Sequence, residues 1–496
     1  INQAITSIAF PFGIDYGEGI VWQQTLSMLT SDAYGPINNL PSIVFHYTPV
    51  YHSFVLGIAS ITNWDMLAIG RTVSIFSTLI IAALIAALVN RAAPTQLPRQ
   101  YRLLISTSSG LIIFSVIPIF YWAQLMRVDM LALLFSLCGL FLGLKSLQQP
   151  KWIYIAAIFF VLAIYTKQNT IAAPLALFCL MLWLNPKLAI AGIGTCLALG
   201  LLGLVTLSHL TDGEFLNHIF RYNINIFDFN RLYIAQQILL INACLIPPTY
   251  IALRVGLSKT RAAFLNSSTR SKREIVLSNQ SLSTFLAIAL YFLFTTPMLL
   301  LFAKHGSASN YAIEWYISCS MLIGVALFDS IIFFRNTSVT RDDSNLDLKI
   351  RAIGVPALAL LHACAFVFFV RTIDFFNIND VRKLELQTLS DIVRASDKPV
   401  ISDDMVLLIR SGKNVVWEPA IFAQLEHTGM WDPRPLVSQI HKKEFAMFIT
   451  KGNRGEEWFD NLFTPTVADA IDLTYPLKDS VAGLTIHLPA KETSQK

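Results

Sequence analysis

Charge is scarce in this chain of 496 residues, of which only 14% are Asp, Glu, Lys or Arg. Soluble globular proteins carry about 25% charged residues, so the composition excludes an ordinary soluble fold. Apolar residues make up 54% of the sequence, and the mean hydropathy is +0.55. Several runs of about 20 residues contain almost no charge, which is enough to cross a bilayer as a helix. The sequence therefore predicts an α-helical polytopic membrane protein.

Cysteine is also rare, and its placement excludes two common uses. All six cysteines fall inside apolar stretches, and none lies in a loop. The sequence therefore indicates neither a disulfide framework nor a Cys/His metal site. The net charge of +5 lies largely in short loops, where membrane topology explains it, and does not indicate a nucleic-acid partner.

Membrane spans are predicted from the apolar runs. No basic-then-apolar leader opens the chain, so we interpret Ile1 to Phe10 as the outer end of a first helix whose start is missing. Together with that helix, the spans give a polytopic protein of about ten to eleven transmembrane helices. The ten complete candidates are 66–90, 103–122, 129–147, 152–166, 169–185, 188–208, 234–256, 282–302, 313–334 and 352–371.

Basic residues sort the loops between these spans into two groups. The loops at 90–102, 145–152, 185–187, 257–281 and 335–351 are rich in Lys and Arg, whereas the alternate loops hold only Arg127, Lys167, Arg221, Arg231 and Lys304. Basic loops remain cytoplasmic in most membrane proteins. The segment around Asp15 and the tail after residue 371 are therefore expected on the extracytoplasmic side.

The tail, residues 372–496, is charged throughout and contains no span. Short apolar runs at 399–402, 414–417 and 445–450 favour buried strands, and stretches at about 377–396, 420–428 and 434–443 favour helices. We therefore predict a transmembrane domain, 1–371, with a functional first outer loop at about 10–65. A small extracytoplasmic α/β domain, 372–496, follows it.

Polar side chains recur at the predicted outer membrane edge. Ionisable residues at that depth are costly, so they favour a polar cavity and a functional role. The candidates are Asp15 and Glu18 in the first loop, His46 and Tyr47 after it, Arg127 and Asp129 before the third span, Lys167 and Gln168 in a tight turn, and Lys304, His305 and Asn310 in a later loop.

Carboxylates and cations together suit a lipid-linked sugar phosphate. The departing phosphate needs Lys or Arg to stabilise its growing negative charge. The attacking hydroxyl needs a base, which a carboxylate within hydrogen-bond reach provides. A nearby carboxylate also stabilises an oxocarbenium-like transition state at the anomeric carbon.

Three of these motifs resemble the GT-C glycosyltransferases, and bacterial relatives of the protein O-mannosyltransferases and of the lipid A aminoarabinose transferase in particular. The motifs are the acidic first loop, the Arg127-x-Asp129 pair and the Tyr165-Thr166-Lys167-Gln168 turn. The resemblance covers the chain to about residue 371. It implies extracytoplasmic transfer from a polyprenyl-phosphate sugar, with inversion, to a lipid, glycan or protein acceptor. It also implies a location in a bacterial plasma (inner) membrane.

By the same resemblance, Asp15 is the catalytic acidic residue, Asp129 a second acidic residue of the site and Lys167 a phosphate contact. The protein mannosyltransferases have adjacent Asp and Glu, whereas Tyr16 and Gly17 separate Asp15 from Glu18 here. The aminoarabinose transferase has Lys-Gly-Pro where this chain has Lys167-Gln168-Asn169.

Structural roles are the alternatives for each residue. Asp15 could be a solvated loop carboxylate, and Glu18 could cap the following helix. Lys167 and Lys304 could extend to lipid headgroups. Asp15, Glu18 and Asp129 could instead hold a divalent ion through oxygen, although no cofactor is indicated with certainty.

The whole chain has two alternative functions. It could be a transporter or flippase of lipid-linked sugars, or a non-catalytic membrane scaffold whose outer domain binds a partner. The sequence shows no internal repeat of the kind that transporters contain.

Overall fold

The structure, a computed structural model, describes residues 2–30, 32–38, 40–223, 225–266, 269–336 and 346–490. Its first part is helical to Thr372. The helices are α1 (Asn2–Ala9), α2 (Tyr16–Ser27), α3 (Val50–Thr62), α4 (Met66–Ala92), α5 (Arg99–Ile112), α6 (Ile117–Trp122), α7 (Asp129–Lys145), α8 (Trp152–Ile164), α9 (Ala172–Leu184), α10 (Pro186–Leu210), α11 (Glu214–Leu216), α12 (Leu232–Ile241), α13 (Ile246–Leu265), α14 (Lys272–Ser278), α15 (Gln280–Thr295), α16 (Ile313–Asn336) and α17 (Leu346–Thr372).

Side-chain caps fix where several of these helices begin. Asp65 accepts a hydrogen bond from the Ala68 amide before α4, and Asn185 accepts one from the Leu188 amide before α10. Each cap satisfies one of the amides that a helix N-terminus leaves without an internal partner. Five described helices are long and apolar enough to cross a membrane, or up to six if one bent pair counts as a single span. The chain is therefore an integral membrane protein.

Two predicted spans are interrupted. The span predicted at 103–122 consists of α5, a 3₁₀ turn at Ile113–Ser115 and α6, where Pro118 lies in the first turn. The span predicted at 234–256 is bent by 69° between α12 and α13. Proline has no amide hydrogen to continue the helical ladder, and Pro247 and Pro248 open α13. Each of these two predicted spans is therefore divided into shorter helical segments.

The loops divide between the two ends of the helical bundle as their charge predicts. Arg91, Arg102, Lys259 and Arg270, all from predicted cytoplasmic loops, line one cavity of about 830 Å³. Asp15, Arg127, Lys167 and Lys304, from the opposite loops, line another cavity of about 640 Å³. Which end faces the cytoplasm remains the prediction from charge.

The C-terminal region folds around a four-stranded sheet in the order β1-β2-β4-β3. The strands are β1 (Val400–Ser402), β2 (Met447–Thr450), β3 (Leu477–Val481) and β4 (Leu484–Leu488). β1 and β2 are parallel, with Val400 opposite Met447, and the other pairs are antiparallel. Its helices are α18 (Asp380–Ala395), α19 (Met405–Arg410), α20 (Pro419–His427), α21 (Arg434–His441), α22 (Glu457–Leu462) and α23 (Pro465–Thr474).

The mixed helices and strands confirm the expected small α/β region, and one predicted strand is wrong. Residues 414–417 form no strand in the sheet, because Trp417 pairs instead with Ser42 of the first loop. The hairpin of β3 and β4 was not predicted. Its turn residues Ala482 and Gly483 both have positive φ, as a tight hairpin turn requires, but β3 is largely exposed and lacks an apolar pattern.

The first loop shares a core with the C-terminal region. Buried Phe12 and Phe45 from the loop belong to one apolar cluster with Leu389 and Met405. Gly19 lies so close to α19 that an added Cβ would stand 2.7 Å from the Cβ of Met405. The loop is therefore built into the C-terminal region as well as into the helix tips.

Candidate active site

One cavity of about 640 Å³ brings together residues from the first loop, the helix tips and the C-terminal region. All the sequence-predicted site residues line it except Glu18 and Asp129. Those lining it are Asp15, His46, Tyr47, Arg127, Lys167, Gln168, Lys304, His305 and Asn310. The expected meeting of acidic and basic groups in one place is therefore present in the structure.

Asp15 stands at the start of α2 as its N-cap. Its Oδ1 accepts hydrogen bonds from the Gly17 amide at 2.9 Å and from Nη1 of Arg127 at 3.1 Å. Among the described residues nothing donates to Oδ2, and the side chain remains 20% exposed. Burial raises the pKa of Asp15, with Arg127 opposing the rise. The carboxylate is held in a fixed orientation with one oxygen available.

Arg127 is held against the first loop by three groups. Its Nη1 bonds to Asp15, its Nη2 donates to the Tyr47 hydroxyl at 3.3 Å, and its guanidinium lies 4.7 Å from the ring centre of Trp122. Gly17 makes this approach possible, because a Cβ at that position would stand 1.0 Å from Nη1. The sequence alone does not show this requirement for glycine.

Asp129 lies just behind the cavity wall and pairs with cavity residues. Its Oδ1 accepts from Nζ of Lys167 at 2.5 Å and from Nδ2 of Asn310 at 2.9 Å. The carboxyl group is 2% exposed, and its Oδ2 has no hydrogen-bond partner. Burial alone would lower the pKa of Lys167, but Asp129 together with nearby Tyr311 and Tyr47 outweighs it, and the pKa is raised. The pair keeps Lys167 charged at the cavity edge.

Glu18 is fully buried away from the cavity and bonds to Arg71. Nε and Nη2 of Arg71 donate to its two oxygens at 2.8 and 2.7 Å, and the amides of Ile14 and Met126 each donate at 2.9 Å. Arg71 also donates to the backbone carbonyls of Ser7 in α1 and of Phe10 and Phe12 in the first loop. This geometry supports a structural role for Glu18 in place of the predicted catalytic one.

Lys304 and His305 line the cavity beside a β-bridge, which is a single pair of hydrogen-bonded backbone positions outside the sheet. Lys304 pairs with Phe227 across this bridge, and the His305 amide donates to the carbonyl of Ile226. Burial, together with nearby Lys167, lowers the pKa of Lys304. A cation in such a position gains most by acquiring an anionic partner.

His46, Tyr47 and Gln168 shape another part of the lining. Nε2 of Gln168 donates to the His46 carbonyl at 2.9 Å, which ties the lysine turn to the first loop. Burial lowers the pKa of His46 to about 3, and its Nδ1 has no partner. His52 is fully buried against Thr25, outside the lining.

Sequence reasoning missed several lining residues. Arg231 was counted only as a loop charge, and Trp122 only as the last residue of the span predicted at 103–122. Glu418 and Trp458 come from the C-terminal region, where the sequence shows no pattern pointing to the cavity. Arg71 carried a usable signal, since a lone arginine inside an apolar helix demands a buried partner.

The carboxylates proposed as possible metal ligands are separated by their cationic partners. Glu18 binds Arg71, Asp129 binds Lys167 and Asp15 binds Arg127. Across the described ranges, no group of three or more His, Cys, Asp or Glu side chains is placed to hold an ion. The metal hypothesis stays an untested alternative.

The fold is similar to solved membrane proteins. ArnT from Cupriavidus metallidurans bound to undecaprenyl phosphate superimposes with a TM-score of 0.59 at 12% identity, covering 98% of this chain and 96% of that one. The same protein in the apo state gives 0.52 at 14% identity, with the same coverage of 98% and 96%. The chain therefore shares the fold of ArnT, which confirms the fold expected from the sequence resemblance.

The remaining comparisons add no support for the fold. The archaeal oligosaccharyltransferase AglB from Archaeoglobus fulgidus, in complex with an inhibitory peptide and a dolichol-phosphate, gives 0.48 at 9% identity, covering 87% of this chain and 65% of that one. No protein-family model matches the sequence, and a search of curated proteins finds no match either.

Proposed function

We propose that this chain is an inverting glycosyltransferase that moves a sugar from a polyprenyl-phosphate donor to a hydroxyl acceptor on the extracytoplasmic face of the membrane. The observation that carries the proposal is the oriented Asp15 carboxylate in a cavity also lined by Arg127, Lys167, Arg231 and Lys304. A base and several cations in one enclosed space suit an acceptor that loses a proton and a leaving group that gains negative charge.

The donor phosphate is best placed at Lys304 and Arg231. Neither side chain forms an ion pair among the described residues, whereas Lys167 is bound to Asp129 and Arg127 to Asp15. A phosphate at this point would gain charge-assisted hydrogen bonds without breaking existing ones.

An apolar groove beside these cations fits the polyprenyl tail. It holds about 350 Å³ and is lined by α12, the start of α13 and the turn at Pro297–Ala303. Leu232 in the groove follows Arg231 directly, and Leu300 in the groove is next to the cavity residue Leu301. The apolar groove at the bend between α12 and α13 therefore lies beside the proposed phosphate position.

In the proposed reaction, Asp15 accepts the proton of the acceptor hydroxyl through Oδ2. The acceptor oxygen forms a bond to the anomeric carbon while the bond from that carbon to the phosphate oxygen breaks, and its electron pair leaves with the phosphate. Lys304 and Arg231 stabilise the added negative charge. Arg127 keeps Asp15 aimed, and the proton then passes to solvent.

The function is tested with purified protein and a panel of undecaprenyl-phosphate sugars. A ligand that binds only the folded state raises the melting temperature. At a ligand concentration of 100 times the Kd, it adds about 2.7 kcal/mol to the free energy of unfolding. We expect at least one donor to stabilise the protein and to yield a new glycosidic bond with an envelope glycan or lipid acceptor. The proposal would be contradicted if no donor in the panel stabilised the protein. It would also be contradicted if detergent without any sugar donor stabilised the protein equally well.

A transporter of lipid-linked sugars is the second candidate, since transporters contain broken helices and α12 and α13 form one. The two candidates differ in their products. A transporter moves the intact lipid-linked sugar across a sealed vesicle and forms no new glycosidic bond, whereas the transferase forms that bond in detergent.

A further inference from the structure

The C-terminal region contributes a wall to the cavity that the transfer reaction described above does not use. This wall consists of Glu418, at the start of α20, Gln424 within it, and Trp458 and Asn461 of α22. The cations of the cavity lie on the loops at the helix tips. The wall instead presents carboxyl, amide and indole groups.

Glu418 is a buried acid with an oxygen that has no partner. It is 2% exposed, and its Oε2 is buried without a hydrogen bond. Burial raises the pKa of Glu418 to about 8. The neutral acid therefore prevails at pH 7, and it offers one O–H donor and one carbonyl acceptor.

Gln424 is a second polar side chain of the wall that has an oxygen without a hydrogen-bond partner. It lies further along α20 and lines the same cavity, and its Oε1 is buried without a partner. Buried polar atoms without partners are rare in folded proteins, and each one needs an explanation. Two of them on one wall of a cavity point to a ligand that supplies the missing hydrogen bonds.

Trp458 gives the wall an aromatic surface. The residue is 41% exposed, yet two contacts hold its ring: Nε1 donates to Asp403 at 3.2 Å, and the ring of Tyr16 meets it edge-on at 5.8 Å. Lys451 lies 4.8 Å from the ring centre. A fixed and exposed indole offers apolar contact area at little cost in side-chain entropy.

We propose that Glu418, Gln424 and Trp458 form a sugar subsite, in which hydroxyls of a pyranose ring bond to the two polar side chains and its C–H face packs on the indole. Neutral donors and acceptors beside an aromatic ring match a hydroxyl-rich ligand, whereas a phosphate would bind the cations. The subsite deepens the proposed function and rests on it, because the ring belongs either to the donor or to the acceptor.

Other ionisable groups share this space and would contribute to any pH dependence. They are Tyr16 and Asp403 beside the wall, and Asp15, His46, Tyr47, Arg127, Lys167, Arg231, Lys304, His305, Tyr311 and Glu457 around the rest of the cavity. A pH effect is therefore assigned to Glu418 only where Glu418→Gln removes it.

The subsite is tested by measuring binding of three kinds of probe to the full-length protein. The probes are undecaprenyl phosphate, undecaprenyl phosphate bearing a series of pentoses and hexoses, and the methyl pyranosides of those sugars. Affinity is measured for the wild type, Glu418→Ala, Glu418→Gln, Gln424→Ala and Trp458→Ala. Glu385→Ala, at an exposed position on α18 outside the cavity, is the matched control.

We expect Glu418→Ala and Trp458→Ala to weaken binding of the preferred sugar by about tenfold or more, as loss of one hydrogen bond to a buried group or of an aromatic contact does. Glu418→Gln should retain binding, because an amide also donates and accepts. Wild-type affinity should fall as the pH rises through about 8, and Glu418→Gln should lack that decrease. If Glu418→Ala fails to fold, the subsite is tested with Gln424→Ala and Trp458→Ala, which change more exposed residues.

The probes separate the possible sources of the ring. If the variants lose affinity only for the sugar-bearing lipid, the subsite belongs to the donor. If they lose affinity only for the methyl pyranoside, the subsite belongs to the acceptor. Unchanged affinity in every variant, or an equal loss for sugar-free undecaprenyl phosphate, would overturn the subsite. A wild type that fails to bind undecaprenyl phosphate would refute the proposed donor, while the methyl pyranosides would still decide whether the wall binds sugar.

Discussion

Asp15 combines two properties that a general base needs, a fixed direction and an accessible oxygen. The Gly17 amide and Arg127 both bond to Oδ1, so the carboxylate cannot rotate freely. Its place in an acidic loop before the first long apolar span could be recognised from the sequence. Its contact with Arg127, 112 residues away along the chain, could not.

The pH dependence of transfer should report this carboxylate. Only ionised Asp15 can accept a proton, and burial places its pKa above the usual 3.8. We therefore expect kcat/KM to fall as the pH decreases through that raised value. Arg127→Gln removes a charge that lowers this pKa, so the acidic limb should move to higher pH. Arg221→Gln, at an exposed position outside the cavity, should leave the limb in place; an unmoved limb in Arg127→Gln would count against Asp15 as the base.

Gly17 is expected to be essential for reasons of space. A Cβ there would stand 1.0 Å from Nη1 of Arg127, so Gly17→Ala must displace the guanidinium from Asp15 and Tyr47. Misplacement of a catalytic group by about 1 Å costs roughly 100-fold in rate, and we expect a decrease of that order in kcat.

Gly57→Ala is the matched control for this substitution. Gly57 is also helical, in α3, and an added Cβ there would meet nothing within 4 Å. Transfer by this variant should equal that of the wild type. A wild-type rate in Gly17→Ala would show that Arg127 does not depend on the space left by the glycine.

Glu18 and Arg71 act at the scale of secondary-structure elements. Their bonds join the first loop, α2, α4 and the segment before α7 at one fully buried point. Removing one partner of a buried ion pair costs about 3–5 kcal/mol, because the other charge is left uncompensated. Glu18→Ala should therefore lower the melting temperature markedly, and Glu18→Ala with Arg71→Met should restore part of it.

The two roles of Glu18 give different results. A structural Glu18 predicts loss of stability, and Glu385→Ala on exposed α18 should leave the melting temperature unchanged. A Glu18→Ala protein with wild-type stability but no transfer would instead support the catalytic role that the sequence suggested.

Element boundaries were predictable where the sequence pattern is local. The turn at Lys167-Gln168-Asn169 lies between α8 and α9 as expected, and β1, β2, α18, α20 and α21 fall within a few residues of their predicted places. The bend before α13 was missed because apolar residues continue through it, and only Pro247 and Pro248 interrupt the hydrogen-bond ladder.

At the scale of the whole molecule, the sequence predicts which groups converge but not what encloses them. Loop charge alone assigned Asp15, Arg127, Lys167 and Lys304 to one end of the bundle, and they share one cavity. The contribution of the C-terminal region was hidden, because Glu418 reaches the cavity only through the packing of its region on the first loop. That packing depends on close approaches such as Gly19 to Met405, which carry no periodic signal.

The central claim, that Asp15 is the base of a sugar transfer, is tested most directly by Asp15→Asn. Asparagine can still cap α2, so the fold should persist. Transfer of labelled sugar from the undecaprenyl-phosphate donor should fall by about 100- to 10,000-fold, the contribution of a general base, while donor binding stays close to the wild type. Asp32→Asn, in the same loop and exposed, should have no effect. Wild-type transfer by Asp15→Asn would contradict the account.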